Sequence, residues 1–140
     1  MPCNLAVAIT KAVVEDEYLR SLLTPDITAA VVHAFLTQTA RYAVLSPDVQ
    51  ATADGVTAVL GRISFTVVRG TVSIRGGAAQ RELARRLVDD LAAPLGQAAQ
   101  ALLAAKLRQT MTRYGQVTMT QEAVNNRGSI QQAYVLRVKL

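Results

Sequence analysis

Six arginines hold the strongest chemical signal in the chain. Arg81 and Arg85 stand one helical turn apart with Arg86 beside them, and Arg62, Arg69 and Arg75 come from the stretch just before. Clustered guanidiniums suit phosphate binding, because each presents a fork of N–H donors and a fixed charge. Glu82, Asp89 and Asp90 are interleaved with them, however, and the region has almost no aromatic rings on which bases could stack. Sequence-nonspecific nucleic-acid binding is therefore the second reading. Residues 1–60 carry three basic and six acidic side chains, and residues 61–140 carry twelve and four, so the net charge of +5 conceals an acidic first half and a basic second half. Such asymmetry fits an anionic partner, attraction between the two halves, or attraction between two copies.

The side chains that usually perform catalysis are sparse and isolated. His33 is the sole histidine and lies in an apolar run, with no second histidine to complete a metal site or a catalytic pair. Cys3 is the sole cysteine and has no nucleophile motif around it; it excludes an intrachain disulfide. Asp89 and Asp90 are neighbours on a helix and so point about 100° apart, which prevents them from acting as a carboxylate dyad. Glu15, Asp16 and Glu17 read as the acidic head of a helix. Arg75-Gly76-Gly77 has neither the spacing of a phosphate loop nor a dinucleotide fingerprint. The expectation is a non-enzymatic protein without catalytic residues, metal or cofactor.

The elements that must position these groups are organised around the stretch 78–114. Leu83, Leu87, Leu91 and Leu95 recur every fourth residue, and Leu102, Leu103, Leu107, Met111 and Tyr114 resume the stripe. As one rod, this helix would run roughly 55 Å, longer than a domain of this size. Pro94 removes a backbone donor and predicts a kink or break there. Gly115 is placed to end the helix in the left-handed conformation. Leu91, Leu95, Leu102, Leu103 and Leu107 are the expected core.

Ahead of that helix, Leu5 to Val14 reads as a strand with small or apolar residues on both faces, which suits a central position. Tyr18, Leu19, Leu22 and Leu23 suggest a short helix. Thr24-Pro25-Asp26 gives an N-cap and a first-turn proline for a helix running to about Thr39, burying Ile27, Val31, Ala34 and Phe35. Residues 41–60 read as irregular or short extended structure, with a strand start at Tyr42 and Val44, a turn at Ser46-Pro47-Asp48 and another at Ala53-Asp54-Gly55. Ile63, Phe65 and Val67 alternate with polar residues and lead through Arg69-Gly70 into Thr71 to Arg75, a β-hairpin whose first turn residue is an unusual arginine. A second hairpin joins Val117 and Met119 to Ile130, Tyr134, Leu136, Val138 and Leu140 through residues 125–128. Gln132 interrupts its apolar row, so the start of the returning strand is expected to be exposed or bulged. Adjacent strands in runs, rather than strict alternation with helices, predict an α+β fold: one domain over 1–140 with a largely antiparallel sheet and helices packed on one face.

Short segments of this layout resemble an uncharacterised small-protein family of cyanobacteria and plastids. They are Ala8-Ile9-Thr10-Lys11 leading to Tyr18-Leu19, the helix end at Arg113-Tyr114, and Gly128-Ser129-Ile130 entering Val135-Leu136-Arg137-Val138. The chain departs from that family in having no tryptophan-bearing middle strand. The resemblance implies no biochemical activity.

With 51% hydrophobic residues over 140 positions the chain can bury one ordinary core, drawn mainly from Ala, Val and Leu. No window is apolar enough to span a membrane, and Lys11 with the acidic cluster interrupts any secretory leader, so a cytoplasmic protein is expected. Ala98, Ala101 and Ala105 leave a small-residue face on the long helix that a second helix could approach closely. The first reading is a structural or adaptor module that self-associates through this helix or a sheet edge, most simply as a dimer, or docks on a protein partner.

Overall fold

The computed structural model describes residues 6–126 and 128–139. The protein has an α+β fold whose packing divides into two compact units, Met1–Ala99 and Gln100–Leu140. In the first, β1 (Ala6–Ala12), β2 (Asp48–Ala51), β3 (Val56–Leu60), β4 (Ile63–Val68) and β5 (Thr71–Gly77) form one sheet in the order β1-β5-β4-β3-β2, and every neighbouring pair is antiparallel. Strict alternation in β3 and β4 sends Val56, Ala58, Leu60, Ile63, Phe65 and Val67 to the covered face. Val72 and Ile74 continue that face in β5. Burial of this apolar row, at roughly 25 cal/mol per Å2, is what fixes the register, because a one-residue slip would turn every one of these side chains to water.

The helices of this unit are α1 (Glu17–Leu22), which itself buries no residue, α2 (Pro25–Gln38), α3 (Ala40–Ala43) and the first part of α4 (Arg81–Met111), which follows a single turn of 3-10 helix at Ala78–Gln80. Asp16 caps α1 by accepting from the Leu19 amide at 3.0 Å. Thr24 caps α2 with Pro25 just inside it, as its sequence requires. Val32, Leu36, Tyr42, Ala84, Leu87, Val88, Leu91, Leu95 and Ala99 are buried with the sheet's covered face.

Several expectations are corrected. β1 is an edge strand rather than a central one, paired only with β5. Its small side chains are the cause: Ala8 is exposed, and an exposed alanine reads like a buried one in a pattern of apolar types. In α2 the most buried face is Thr28, Val32 and Leu36, while Ile27, Val31, Ala34 and Phe35 are half-buried. Thr28 tolerates burial because its hydroxyl donates back to the Thr24 carbonyl at 2.8 Å. Tyr42 lies in α3, not at the start of a strand, and is fully buried. The stretch 48–51, expected to be irregular or short extended, takes the second form as the short strand β2, in keeping with its sequence.

Helix α4 is not broken at Pro94: it stays α-helical for 31 residues with the proline inside it. The helix stops at Met111, and Gly115 is nearly extended at φ 159° rather than left-handed. A glycine is needed there for another reason, since a Cβ would collide with the Lys139 carbonyl. Leu107, expected in the core, is 45% exposed.

The second unit contains residues 100–111 of α4 and a separate two-stranded sheet, β6 (Gln116–Asn126) with β7 (Ser129–Lys139). Val117 and Ala104 are buried, whereas Met119, Tyr134, Leu136 and Val138 are only half-buried. Ile130 is 78% exposed, so the row interrupted at Gln132 opens to solvent as its sequence suggests.

Candidate functional site

The six arginines do not converge. Arg62 lies in the β3–β4 turn and Arg69 in the β4–β5 turn, so the whole of β4 separates them, roughly 20 Å along the strand. Arg75 opposes Ser64 and therefore stands near the Arg62 end, and Arg81 opens α4 after Gln80, which packs close to Gly76. Arg85 is paired with Glu82 at 3.7 Å, one turn away on the same helix. All six are exposed. The structure thus places Arg62, Arg75 and Arg81 toward one end of the sheet and puts Arg69 at the other.

At that other end Arg69 meets a residue the sequence reading did not select. Arg20, from α1, donates through Nε to the Arg69 carbonyl at 2.8 Å and approaches Thr71 Oγ1 through Nη2 at 3.4 Å. Arg20 and Arg69 line an open cleft of about 620 Å3 together with Ser21, Leu23, Thr24, Asp54 and Val68. Arg20 and Arg69 are 49 positions apart, so only the folded β4–β5 hairpin brings them together. The one local sign was the arginine before Gly70. Arg69 has φ +49° and Gly70 φ +73°, the two left-handed residues of a tight hairpin turn. Gly70 has no alternative, because a Cβ there would press on Val14.

The other expected groups fall into structural roles or outside the described residues. His33 is exposed on α2, and Cys3 lies outside the described residues. Asp16 is a helix cap, and Asp89 pairs with Lys11 at 3.6 Å. Asp90 accepts a 2.6 Å hydrogen bond from the buried Tyr42 hydroxyl and stands 3.5 Å from Arg41. Burial first, then this bond and the carboxylate's charge, hold the Tyr42 phenol well above its ordinary range, against smaller opposing pulls from Arg41 and Arg86. The tyrosine therefore stays neutral and ties α3 to α4. Among the described residues, no three His, Cys, Asp or Glu side chains are grouped to hold a metal ion, and no helix is long and apolar enough to cross a membrane.

The sheet's second face is open to solvent. Thr10, Ser73, Thr66, Thr57 and Gln50 form one row across all five strands, and Ala8, Arg75, Ser64, Val59 and Asp48 form the next. In these two rows Arg75 and Asp48 are the charged residues, three strands apart, which at about 4.8 Å per strand is roughly 14 Å. The alanines proposed for helix contact are less uniform: Ala98 and Ala101 are half-buried, Ala105 is exposed, and the neighbouring Ala99 and Ala104 are buried. No family model matches the chain, and no match was found among curated proteins or solved structures.

Proposed function

We propose that the protein is a non-enzymatic structural or adaptor module of the cytoplasm that works as a homo-oligomer, most simply a two-fold dimer formed through the open sheet face. The observation that supports it is the placement of Asp48 and Arg75 in one row of an otherwise uncharged pair of rows. A two-fold axis parallel to the strands between β3 and β4 sets Arg75 over the partner's Asp48 and Asp48 over the partner's Arg75. Stacked sheets lie about 10 Å apart, a gap that these two side chains span. Thr66 then faces the partner's Thr57, so hydroxyls meet hydroxyls and Val59 loses its contact with water. An isologous interface requires this kind of self-complementarity.

Light scattering after size exclusion tests the proposal. The expected result is a dimer that Arg75→Asp dissociates by setting like charges opposite each other, and that the double variant Arg75→Asp with Asp48→Arg restores. A monomer at all concentrations, or a mass unchanged by charge reversal, overturns it. Dissociation by Ala101→Glu but not by Arg75→Asp would move the interface to the small-residue face at Ala98, Ala101 and Ala105. The second reading, nonspecific nucleic-acid binding, rests on Arg62, Arg75 and Arg81, which form no ion pair within 4.0 Å among the described residues. It requires nucleic acid that co-purifies with the protein and is released by salt.

A further inference from the structure

We propose that the cleft between α1 and the β4–β5 turn binds a small phosphate ester with a polar, non-aromatic body, held by Arg20 and Arg69. The proposal is independent of self-association. Its first support is the pair of cations: two arginines line one cleft, and neither has a carboxylate within 4.0 Å among the described residues. Carboxylates are close by, Asp54 in the cleft and Glu17 in the adjoining hollow, yet neither forms an ion pair with Arg20 or Arg69. Arg20 is also held in place. Its bonds to the Arg69 carbonyl and Thr71 fix the plane of its fork and leave further N–H groups for an oxyanion.

The second support is the backbone at Arg69. A two-residue hairpin turn with both φ values positive favours Asn, Asp or Gly at its first position, and a long side chain there is strained. Strain of this kind persists where the side chain has a use that stability does not explain. Arg69 brings a positive charge to a position that lines the cleft, whereas the residues that would relax the turn carry none.

The cleft also limits what can bind. Its volume of about 620 Å3 fits a small organic molecule better than a bare ion. No aromatic ring lines it, so a nucleobase has nothing to stack on. Asp54 offers an acceptor for hydroxyl groups, and Leu23 and Val68 offer apolar contact for a carbon skeleton. A phosphate at the arginines and a polyol reaching toward Asp54 would satisfy each of these.

Titration calorimetry of the full chain with ribose 5-phosphate, inorganic phosphate and ribose provides the test. Ribose 5-phosphate is expected to bind, inorganic phosphate to bind more weakly and ribose not at all. Arg69→Asn should weaken ribose 5-phosphate binding by at least about tenfold while raising the melting temperature by roughly 3–6 °C through relief of the turn. Arg62→Gln, which removes the same charge from the far end of β4, should leave binding unchanged. Failure of both phosphates to bind at millimolar concentration overturns the proposal. So does equal loss in Arg62→Gln and Arg69→Asn, which would mark the binding as general attraction to a basic surface. An Arg69→Asn protein that binds normally overturns it too, as does one that melts lower.

Discussion

The two long hairpins of this protein share a backbone plan and differ in what lies behind it. The β4–β5 hairpin has five paired positions and β6–β7 has eleven, and each turns through a glycine with positive φ. In β4–β5 the inward residues Phe65, Val67, Val72 and Ile74 are fully buried. In β6–β7, which has more than twice as many paired positions, Met119, Tyr134, Leu136 and Val138 are half-buried. Ladder length is therefore a poor guide to stability here. Backbone bonds exchange for bonds to water at small net gain, whereas apolar area removed from water stabilises the fold directly. A two-stranded sheet whose apolar row is buried, among the described residues, only at Val117 is marginal.

The most direct way to break this comparison is to truncate one apolar side chain in each hairpin. Phe65→Ala should cost about 3–5 kcal/mol and threaten folding of the first unit, because it empties a fully buried site. Leu136→Ala removes a side chain that is already half in water and should cost about 1 kcal/mol. Urea unfolding of both variants decides the matter. Equal losses would mean that the β6–β7 apolar face is covered in solution, and a partner copy would be the first place to look.

Tyr42 sharpens the same contrast with a polar group. Its hydroxyl is the hydrogen-bond donor to Asp90 inside the first unit, and Tyr42→Phe should cost about 1.5–3 kcal/mol because the bond is made to a carboxylate. The folded phenol is held above its ordinary value of 10.0, so the stability it contributes is complete below pH 10 and is lost as pH rises beyond that point. Wild-type protein should therefore weaken in alkali, and Tyr42→Phe should flatten that limb. An unchanged alkaline slope in Tyr42→Phe would show that other groups govern it.

How much of this was legible in the sequence depended on how local each feature is. The α+β class, the Thr24-Pro25 helix start and the Ile63–Val67 alternation are written in neighbouring residues, and they fold as read. Where small residues carry the pattern, the reading fails. Ala8 cannot signal whether it faces core or water, so the edge position of β1 was hidden, and buried Thr28 displaced the apparent face of α2 by one residue. Pro94 suggested an interruption, yet the missing amide did not stop the helix. The candidate cleft was half legible. Arg69 was marked by its unusual place before Gly70, but Arg20 in the cleft, and likewise Asp48 on the open sheet face, acquire their significance only from neighbours across the fold that no sequence window contains.

The smallest effect belongs to the outer face of β6–β7, where Arg137 donates to Glu122 at 2.7 Å and Thr120 does the same. The Arg137 bond, followed by that of Thr120, holds the Glu122 carboxyl below its ordinary value. Its contribution is therefore present above the usual glutamate range and is lost as pH falls through the lowered value. The groups are washed by solvent, so the interaction is screened and weak. Glu122→Gln should lower the melting temperature slightly in dilute buffer and not at all in molar salt, with the difference vanishing in acid. Leu136→Ala should exceed it under every condition. If instead Glu122→Gln is the more damaging of the two, the second hairpin is held by its polar face, and the half-buried apolar row would be surface rather than core.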